Sequence, residues 1–277
     1  MRVCYPRAAM KTTRMSGAGN LFVMVDGIAD ELPADAAAYA RDACSRPGPE
    51  GRRPDGVILV KPPRSGGDCV MEIYNADGSR PETCGNGLRC VAKLVFDRRH
   101  VTTTTFVIET DAGPVRARVA GGRGGVERAT IAMGVPRIVA RDERLRALGR
   151  EHAAVLVEVG NPHCVLFVED ERTAPVTTLG PALEKHARFP RGTNVEFLAL
   201  RGDGAFLRVW ERGVGETQAC GTGACAAAWA AVDAGRAQWP VVLFVPGGIL
   251  VVDSDGAGGV TLEGPVEEHR ERSLHGA

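Results

Sequence analysis

Cys84 and Cys220 each begin the same short phrase, Cys-Gly-x-Gly, about half a chain apart. Each phrase opens an apolar segment that predicts a helix, Gly87–Phe96 in one case and Gly223–Val232 in the other. A helix N-terminus presents unpaired N–H groups and the positive end of the helix dipole. Because a thiolate is stabilised in that position, we expect lowered pKa values for the two cysteines.

Two such helices that meet at their N-termini are suited to one kind of chemistry. Their N–H groups can hold a carboxylate between them, and the glycines let a ligand approach the backbone closely. A thiolate on one side removes the proton from the carbon next to that carboxylate, and a thiol on the other side delivers one. The helix N-termini stabilise the enolate-like charge that develops. The pattern therefore predicts inversion of an α-carbon.

The predicted helices are apolar on more than one face, which is typical of buried helices. The segment Ala224–Val232 has no polar residue except Cys225. Strands are predicted at 57–60, 102–109, 155–159, 165–168, 194–200, 207–210 and 241–245, and a third helix is predicted at 34–44. Each motif helix is therefore expected to lie inside a wrap of strands.

The glycine-rich stretch Ala120–Arg128 separates the two motifs and is the best candidate for a linker. We therefore predict a first domain over 1–124, joined by about 264–277, and a second domain over 125–263. The two halves share little sequence beyond the repeated phrase, so an internal duplication is only suggested.

Composition excludes several classes of protein. The 277 residues are 44% hydrophobic, carry 34 basic and 34 acidic side chains, and are only 5% aromatic. This balance argues against a nucleic-acid or anionic-membrane surface. No apolar run is long enough to span a bilayer, and the basic N-terminal stretch lacks the apolar core of a secretory signal. The 8 cysteines are therefore expected to be reduced thiols of a cytoplasmic protein.

Plainer interpretations compete with the catalytic one. Free cysteines are often small buried residues, and this interpretation is favoured for all except Cys84 and Cys220. A zinc site is disfavoured because the cysteine spacings do not match a C-x₂-C knuckle. A lone histidine is as often a core residue, and the asparagines in this chain stand in segments that also favour turns.

Longer blocks carry a specific resemblance. They are GAGNLFVMVDG at 17–27, YNADGSRPETCGNGLRC at 74–90, VGNPHCV at 159–165, FPRGTNVEF at 189–197 and WERGVGETQACGTGACAAA at 210–228. In these blocks the chain resembles the diaminopimelate epimerase family. The resemblance implies an α+β (mixed α/β) fold of two similar domains, each with strands curled around a buried central helix. The active site is then expected in the cleft between them.

The same resemblance implies an isomerase that interconverts LL- and meso-2,6-diaminopimelate in lysine and peptidoglycan biosynthesis, without a metal or an organic cofactor. Cys84 and Cys220 are then the two acid/base thiols, and His163 and Glu211 tune their protonation. The residues implied in substrate binding are Asn20, Asn75, Gly85, Asn86, Asn161, Asn194, Glu211, Arg212, Gly221 and Thr222. The family also admits a homodimer.

The chain departs from the family pattern at Leu21, where an aspartate is usual, and we expect this change to affect the support of Asn20. Two alternative functions stay open. One is a cofactor-independent racemase or epimerase of another amino acid, which shares the thiols and changes the distal pocket. The other is a thiol redox or metal-binding protein. The expected partner is a small molecule, with no nucleic acid and no membrane.

Overall fold

Short strands make up most of the chain. The computed structural model describes residues 10–48, 51–81, 84–122, 124–202 and 204–269. Residues 1–9 and 270–277 lie outside the described residues, and with them lie the ends of the predicted first domain. None of the helices in the described part of the chain is long and apolar enough to cross a membrane.

The strands of the described residues are β1 Thr12–Gly17, β2 Asn20–Asp26, β3 Gly56–Lys61, β4 Cys69–Asn75, β5 Thr105–Thr110, β6 Gly113–Gly122, β7 Gly125–Gly134, β8 Arg137–Ala147, β9 Arg150–Glu158, β10 Pro162–Val168, β11 Asn194–Arg201, β12 Gly204–Glu211, β13 Gly215–Thr217, β14 Val241–Val245, β15 Gly248–Ser254, β16 Val260–Pro265 and β17 Glu267–His269. The helices are α1 Ala36–Ala43, α2 Gly85–Asp97, α3 Val176–Glu184 and α4 Gly221–Asp233.

The two halves of the chain repeat one order of strand pairing. From β1 to β7 the successive pairs are antiparallel, parallel, antiparallel, parallel, antiparallel and antiparallel. The run β9, β10, β11, β12, β14, β15 and β16 pairs in the same order. Helices α2 and α4 occupy equivalent places in these two runs. The predicted fold class, with two similar units built around one helix each, is confirmed.

Each unit buries its central helix in a separate core. Leu88, Val91 and Leu94 of α2 pack with Ile58 and Ile108 from the surrounding strands. Burial of one such side chain contributes roughly 1.5–3 kcal/mol. In α4 the buried residues are mostly alanines, which favour the helix and let strands approach its axis. These are Ala224, Ala226, Ala227, Ala228, Ala230 and Ala231.

The two central helices also end alike. Each is followed by a residue in the left-handed region, Arg99 with φ 60° after α2 and Gly235 with φ 66° after α4. The N–H of Arg99 donates to Phe96 O, and the N–H of Gly235 donates to Val232 O. Only glycine adopts this conformation without strain, so the first unit ends its helix at a higher conformational cost.

The two units are joined by strands. β7 pairs with β6 on one side and with β16 on the other, both antiparallel. Val126 and Ile131 of β7 lie in the core around α2. β17 pairs with β1, with Arg14 opposite His269, so the chain returns to its first strand.

At the level of elements, the expected linker is wrong and one helix is not predicted by the sequence. The segment Ala120–Arg128, predicted as a linker, forms the adjoining ends of β6 and β7, with Gly121 opposite Val126. The boundary predicted between 124 and 125 therefore falls within a hairpin. Helix α3 was not expected, because Gly180 and Pro181 inside it disfavour a helix.

Candidate active site

The repeated cysteine is the N-cap residue of each central helix. Cys84 has extended backbone angles, and its Sγ accepts a hydrogen bond of 3.3 Å from the N–H of Gly87. Cys220 caps α4 in the same way, with 3.3 Å between its Sγ and the N of Gly223. Sulfur thus takes the capping position that a serine or aspartate oxygen usually fills. The Cys-Gly-x-Gly phrase occurs twice because it places a thiol at the N-terminus of each central helix.

The second glycine of each phrase is required by packing. A Cβ on Gly87 would lie 2.8 Å from Ile58 Cδ1, and a Cβ on Gly223 would lie 2.8 Å from Glu196 Oε1. The backbone beside each sulfur is therefore pressed against the strands behind it. Only glycine fits these positions without displacing its neighbours.

The two helices meet at their first residues. A Cβ on Gly221 would lie 3.6 Å from Gly85 Cα and 3.9 Å from Asn86 Oδ1. Two sets of unpaired N–H groups, and the positive ends of two helix dipoles, therefore converge in one place. The predicted end-to-end arrangement of α2 and α4 is confirmed.

Glu211 lies beside the second thiol. The hydroxyl of Thr217 donates to Glu211 Oε1, and the charge of Glu211 acts on the thiol of Cys220. The hydroxyl of Thr222 lies 3.5 Å from Cys220 Sγ. Burial raises the pKa of Glu211, against the opposing hydrogen bond from Thr217.

His163 is buried beneath α4 between two oxygen atoms. Its Nδ1 lies 2.7 Å from Glu196 Oε1, and its Nε2 lies 2.8 Å from Asn161 Oδ1. The Nδ2 of Asn161 donates to Thr222 Oγ1 at 3.4 Å. His163, Asn161 and Thr222 thus form one connected group that extends from β10 to the first turn of α4.

Glu196 is a further member of this group, and it stands in the block at 189–197 without a role assigned to it from the sequence. Both Glu196 and His163 have fully buried side chains. Burial raises the pKa of Glu196, and the charge of His163 opposes that rise. The contact between Glu196 and His163 is visible only in the structure. The parallel pairing of β10 and β11 places Asn194 opposite His163 and brings Glu196 within reach of the histidine ring.

The expected lowering of the thiol pKa values is wrong for this structure. Burial raises the pKa of Cys84 to about 11, and it raises the pKa of Cys220 well above the ordinary value. The N–H groups of Gly87 and Gly223 act in the opposite direction. The charge of Glu211 adds to the rise at both sulfurs. Desolvation and a nearby carboxylate therefore outweigh the two helix N-termini.

Asn20 and Asn86 connect the first unit to the second. The Nδ2 of Asn86 donates to Asn20 Oδ1 and, at 3.2 Å, to the carbonyl of Ala219, the residue before Cys220. The Nδ2 of Asn20 donates to Asp55 Oδ2 at 3.2 Å. Asp55 also accepts the N–H of Leu21 at 2.7 Å, so this carboxylate supports Asn20 although Leu21 is buried and apolar.

Asn75 and Asn194 both form hydrogen bonds within the protein. The Nδ2 of Asn75 donates to Ser79 Oγ at 2.9 Å. Asn194 Oδ1 accepts the N–H of Arg212 at 3.0 Å, and its Nδ2 donates to Pro162 O at 3.1 Å. Arg212 is exposed, and its guanidinium donates to the carbonyl of Arg191 at 3.3 Å.

Two cavities adjoin these residues. One of about 410 Å³ is lined by Cys84 and Thr222 and by apolar side chains such as Met71, Leu88 and Met133. The other, of about 390 Å³, is lined by residues that include Arg212, Arg191 and Lys185. The first cavity brings parts of both units together at a thiol, and the second carries several cationic side chains.

The family model for diaminopimelate epimerase matches the chain over residues 12–139 and 155–267. The two matched segments contain both capped helices, Glu211 and the His163 group. The chain belongs to the diaminopimelate epimerase family.

Relatives named diaminopimelate epimerase span nearly the whole chain. The protein of Desulforudis audaxviator is 43% identical over 272 residues, with 94% of this chain and 97% of the relative covered. That of Bacillus licheniformis is 38% identical over 279 residues, with 94% and 96% covered. That of Geobacillus thermodenitrificans is 42% identical over 274 residues, with 92% and 93% covered. This epimerase family therefore accounts for the chain from β1 to β17.

Solved structures show the same fold at low sequence identity. A hydroxyproline epimerase from Agrobacterium vitis superimposes with a TM-score of 0.71 at 17% identity, with 94% of this chain and 90% of that chain covered. A protein described as a predicted epimerase from Pseudomonas aeruginosa gives a TM-score of 0.72 at 18% identity, with 97% and 100% covered. The two-unit fold of the diaminopimelate epimerases is thus shared with other epimerases.

Proposed function

We propose that the chain interconverts LL- and meso-2,6-diaminopimelate with Cys84 and Cys220 as the two proton-transfer groups. The observation that carries the proposal is the meeting of two helix N-termini, each capped by a cysteine. Family membership supplies the substrate, and relatives at about 40% identity carry the same name.

The reaction begins with one thiolate and one thiol. The thiolate takes the α-proton of the substrate, and the electrons of the broken C–H bond pass into the carboxylate to form an enediolate. The thiol on the opposite side gives its proton to the other face of the same carbon, which inverts the configuration. After one turnover the thiolate and the thiol have exchanged places, so each cysteine is the base for one isomer.

The converging helix ends stabilise the enediolate. N–H groups from the first turns of α2 and α4 point to one region, and fixed donors of this kind need no reorganisation as charge develops. The glycines of both phrases leave the backbone uncovered there. We assign Gly85, Asn86, Gly221 and Thr222 to this cradle for the reacting carboxylate.

Glu211 and His163 adjust the protonation of the pair. Glu211 interacts with the thiol of Cys220, and the raised pKa of its carboxyl allows it to exchange a proton as that sulfur changes role. His163 is held by Glu196 and Asn161, and Asn161 in turn contacts Thr222 beside Cys220. The thiols need groups that exchange protons with them, because an unassisted buried thiol is rarely ionised at neutral pH.

The distal end of the substrate carries a second ammonium and carboxylate. We assign its recognition to Asn20, Asn75, Asn161, Asn194 and Arg212, of which Arg212 is the anion-binding group. Asn194 already accepts the N–H of Arg212. It therefore fixes the backbone from which that guanidinium projects.

Proton NMR in D₂O under reducing conditions tests the proposal. LL-diaminopimelate is expected to lose its α-proton signal and to yield the meso isomer, whereas a panel of other L-amino acids stays unchanged. Exchange on a different amino acid would keep the two-thiol mechanism and reject the substrate. No exchange on any of them, with both thiols titrated as free, would reject the function.

A further inference from the structure

Arg89 is a buried cation in the first turns of α2. Its side chain is 0% exposed, and its Nη2 donates to Asn86 Oδ1 at 2.7 Å. Its Nε and Nη1 are buried without a hydrogen-bond partner. Among the described residues no carboxylate forms an ion pair with it. A guanidinium in this situation destabilises the fold, because its desolvation is not balanced by a counter-charge.

The surroundings of Arg89 belong to both units. A Cβ on Gly264 of β16 would lie 3.0 Å from its Cζ, so the guanidinium lies against that strand. The titratable groups that act on it electrostatically include the thiols of Cys84 and Cys90 from the first unit and of Cys225 from α4, and the cation of Arg128 from β7. Arg128 is paired with Glu263 at 2.7 Å.

Arg89 and Cys84 act on each other electrostatically. Burial lowers the pKa of Arg89 to about 10, and the charge of a Cys84 thiolate opposes that change. Arg89 in turn lowers the pKa of Cys84, against the larger effect of burial. Arg89 therefore stays charged at neutral pH, and the negative charge that complements it arises only when the site ionises.

Arg89 also fixes the orientation of Asn86. By donating to Asn86 Oδ1 it leaves the Nδ2 of that amide to reach Asn20 Oδ1 and the carbonyl of Ala219. Ala219 immediately precedes Cys220. The hydrogen bonds from Arg89 through Asn86 thus connect the first capped helix with the backbone that enters the second.

We propose that Arg89 is a positioning residue for epimerisation. It orients Asn86 at the place where the two helices meet, and it supplies a fixed positive charge that balances negative charge at Cys84 and at the reacting carboxylate. This inference rests on the proposed function. Arg89 lies behind the site and acts through Asn86 and through its field. If this position served packing alone, an apolar side chain there would give a fold at least as stable as the one with arginine.

Three variants test the inference. Arg89→Met removes the charge and the donors, Arg89→Lys keeps the charge without the planar fork, and Lys93→Met is the matched control. Lys93 is a buried cation one turn further along α2, paired with Asp97 at 2.7 Å. Each purified protein is examined for kcat and KM on LL-diaminopimelate, for thermal unfolding, and for the pH dependence of Cys84 alkylation by iodoacetamide, followed by mass spectrometry.

Arg89→Met is expected to lower kcat about 100-fold, as removal of one electrostatic donor does, with a smaller change in KM. Its Cys84 is expected to be alkylated only at higher pH than in the parent, while the unfolding temperature stays equal or rises. Arg89→Lys is expected to restore the alkylation profile but only part of kcat. Lys93→Met is expected to keep the parental profile.

Two results would overturn the inference. The first is an Arg89→Met protein with the parental alkylation profile and kcat within about threefold of the parent. The second, if Arg89→Met does not fold, is an Arg89→Lys protein whose alkylation profile is also displaced, which would show that charge at this position is not what matters. Alkylation needs no substrate, so absence of turnover in the parent would reject the proposed function and leave the inference about Arg89 still tested.

Discussion

At the scale of single residues, the two cysteines combine a structural role with a proposed chemical role. Each sulfur caps a helix, and we propose that each exchanges a proton with a ligand at the same helix end. The two roles can be separated by substitution with serine. The serine oxygen is a good N-cap acceptor, but the serine hydroxyl is a far weaker acid than a thiol. The capping role concerns folding, and the acid role concerns turnover.

Cys84→Ser is expected to lower kcat by about 10³-fold or more while the unfolding temperature is kept, since the cap remains and the proton-transfer group is lost. Cys84→Ala is expected to lose the same activity and also about 1 kcal/mol of stability, because the cap is lost as well. Calorimetry and the exchange assay measure the two effects. Appreciable turnover by the serine protein would contradict a thiol base at this position.

We expect Glu211 to have opposite effects on thiol acidity and on turnover. Its charge raises the pKa of both Cys84 and Cys220, in addition to burial. Glu211→Gln is therefore expected to shift alkylation of both thiols to lower pH, since a thiolate then forms without a neighbouring anion. Epimerisation is expected to fall about 100-fold because the proposed acid/base partner beside Cys220 is lost.

Thr217→Val serves as the control for that substitution, since it removes only the hydroxyl that donates to Glu211. Without this donor the pKa of Glu211 is expected to rise further. As the pH falls, its carboxylate is then protonated at a higher pH than in the parent. A Glu211→Gln protein whose thiols ionise at higher pH than in the parent would show that this carboxylate does not oppose thiolate formation.

At the scale of elements, one carboxylate holds the turn that presents Glu211 and Arg212. Glu184, in the last turn of α3, accepts Trp210 Nε1–H at 2.7 Å and the N–H of Gly213 at 2.8 Å. These two donors stand on either side of Glu211 and Arg212. The unexpected helix α3 therefore supports the turn that carries these two proposed site residues.

Glu184→Ala is expected to lower kcat/KM about 10- to 100-fold, since small displacements of positioned groups are costly in turnover. Glu184→Gln keeps one acceptor and is expected to lose less. The matched control is Glu143→Ala, which removes a partly exposed carboxylate that pairs with Arg188 at 2.8 Å. Equal activities of the two alanine proteins would refute a positional role for Glu184.

The end of α2 offers a test of the repeated architecture. Arg99 has φ 60° where the second unit has Gly235. Arg99→Gly is expected to raise the free energy of unfolding by about 0.5–1 kcal/mol, because glycine relieves the left-handed strain. Gly235→Ala introduces that strain and is expected to lower the free energy by a similar amount. Denaturant titration measures both, and changes of the same sign would disprove the equivalence of the two helix ends.

At the scale of the whole molecule, the sequence predicts what is local. The caps, the glycines and the apolar runs predict α2 and α4 within a few residues, because each signal lies inside the element it specifies. The strand at 194–200 is similarly predicted by its own β-branched and apolar residues. The family blocks then supply the assignment of roles.

Long-range contacts are what the sequence does not reveal. Glu196 reaches His163 only through the parallel pairing of β10 and β11, and Asp55 supports Asn20 across a separation of 34 to 35 residues. Arg89 carries a charged side chain that would ordinarily be solvated, and its burial depends on β16 from the other half. The sequence of the β6–β7 hairpin is rich in glycine and is therefore typical of a linker. Composition does not show that these residues pair as strands.

The pairing of β17 with β1 has a consequence for how the chain is threaded. The first and last described strands are hydrogen-bonded neighbours, so both ends of the described path meet on one side of the molecule. Chains whose ends adjoin tolerate being joined there and reopened at an exposed turn. The turn between β6 and β7 precedes the last strand of the first unit, and Gly124 in this turn is exposed. A circular permutant opened at Gly124 would therefore begin with β7, continue through the second unit and end with β6, and both capped helices would keep every neighbour they have now.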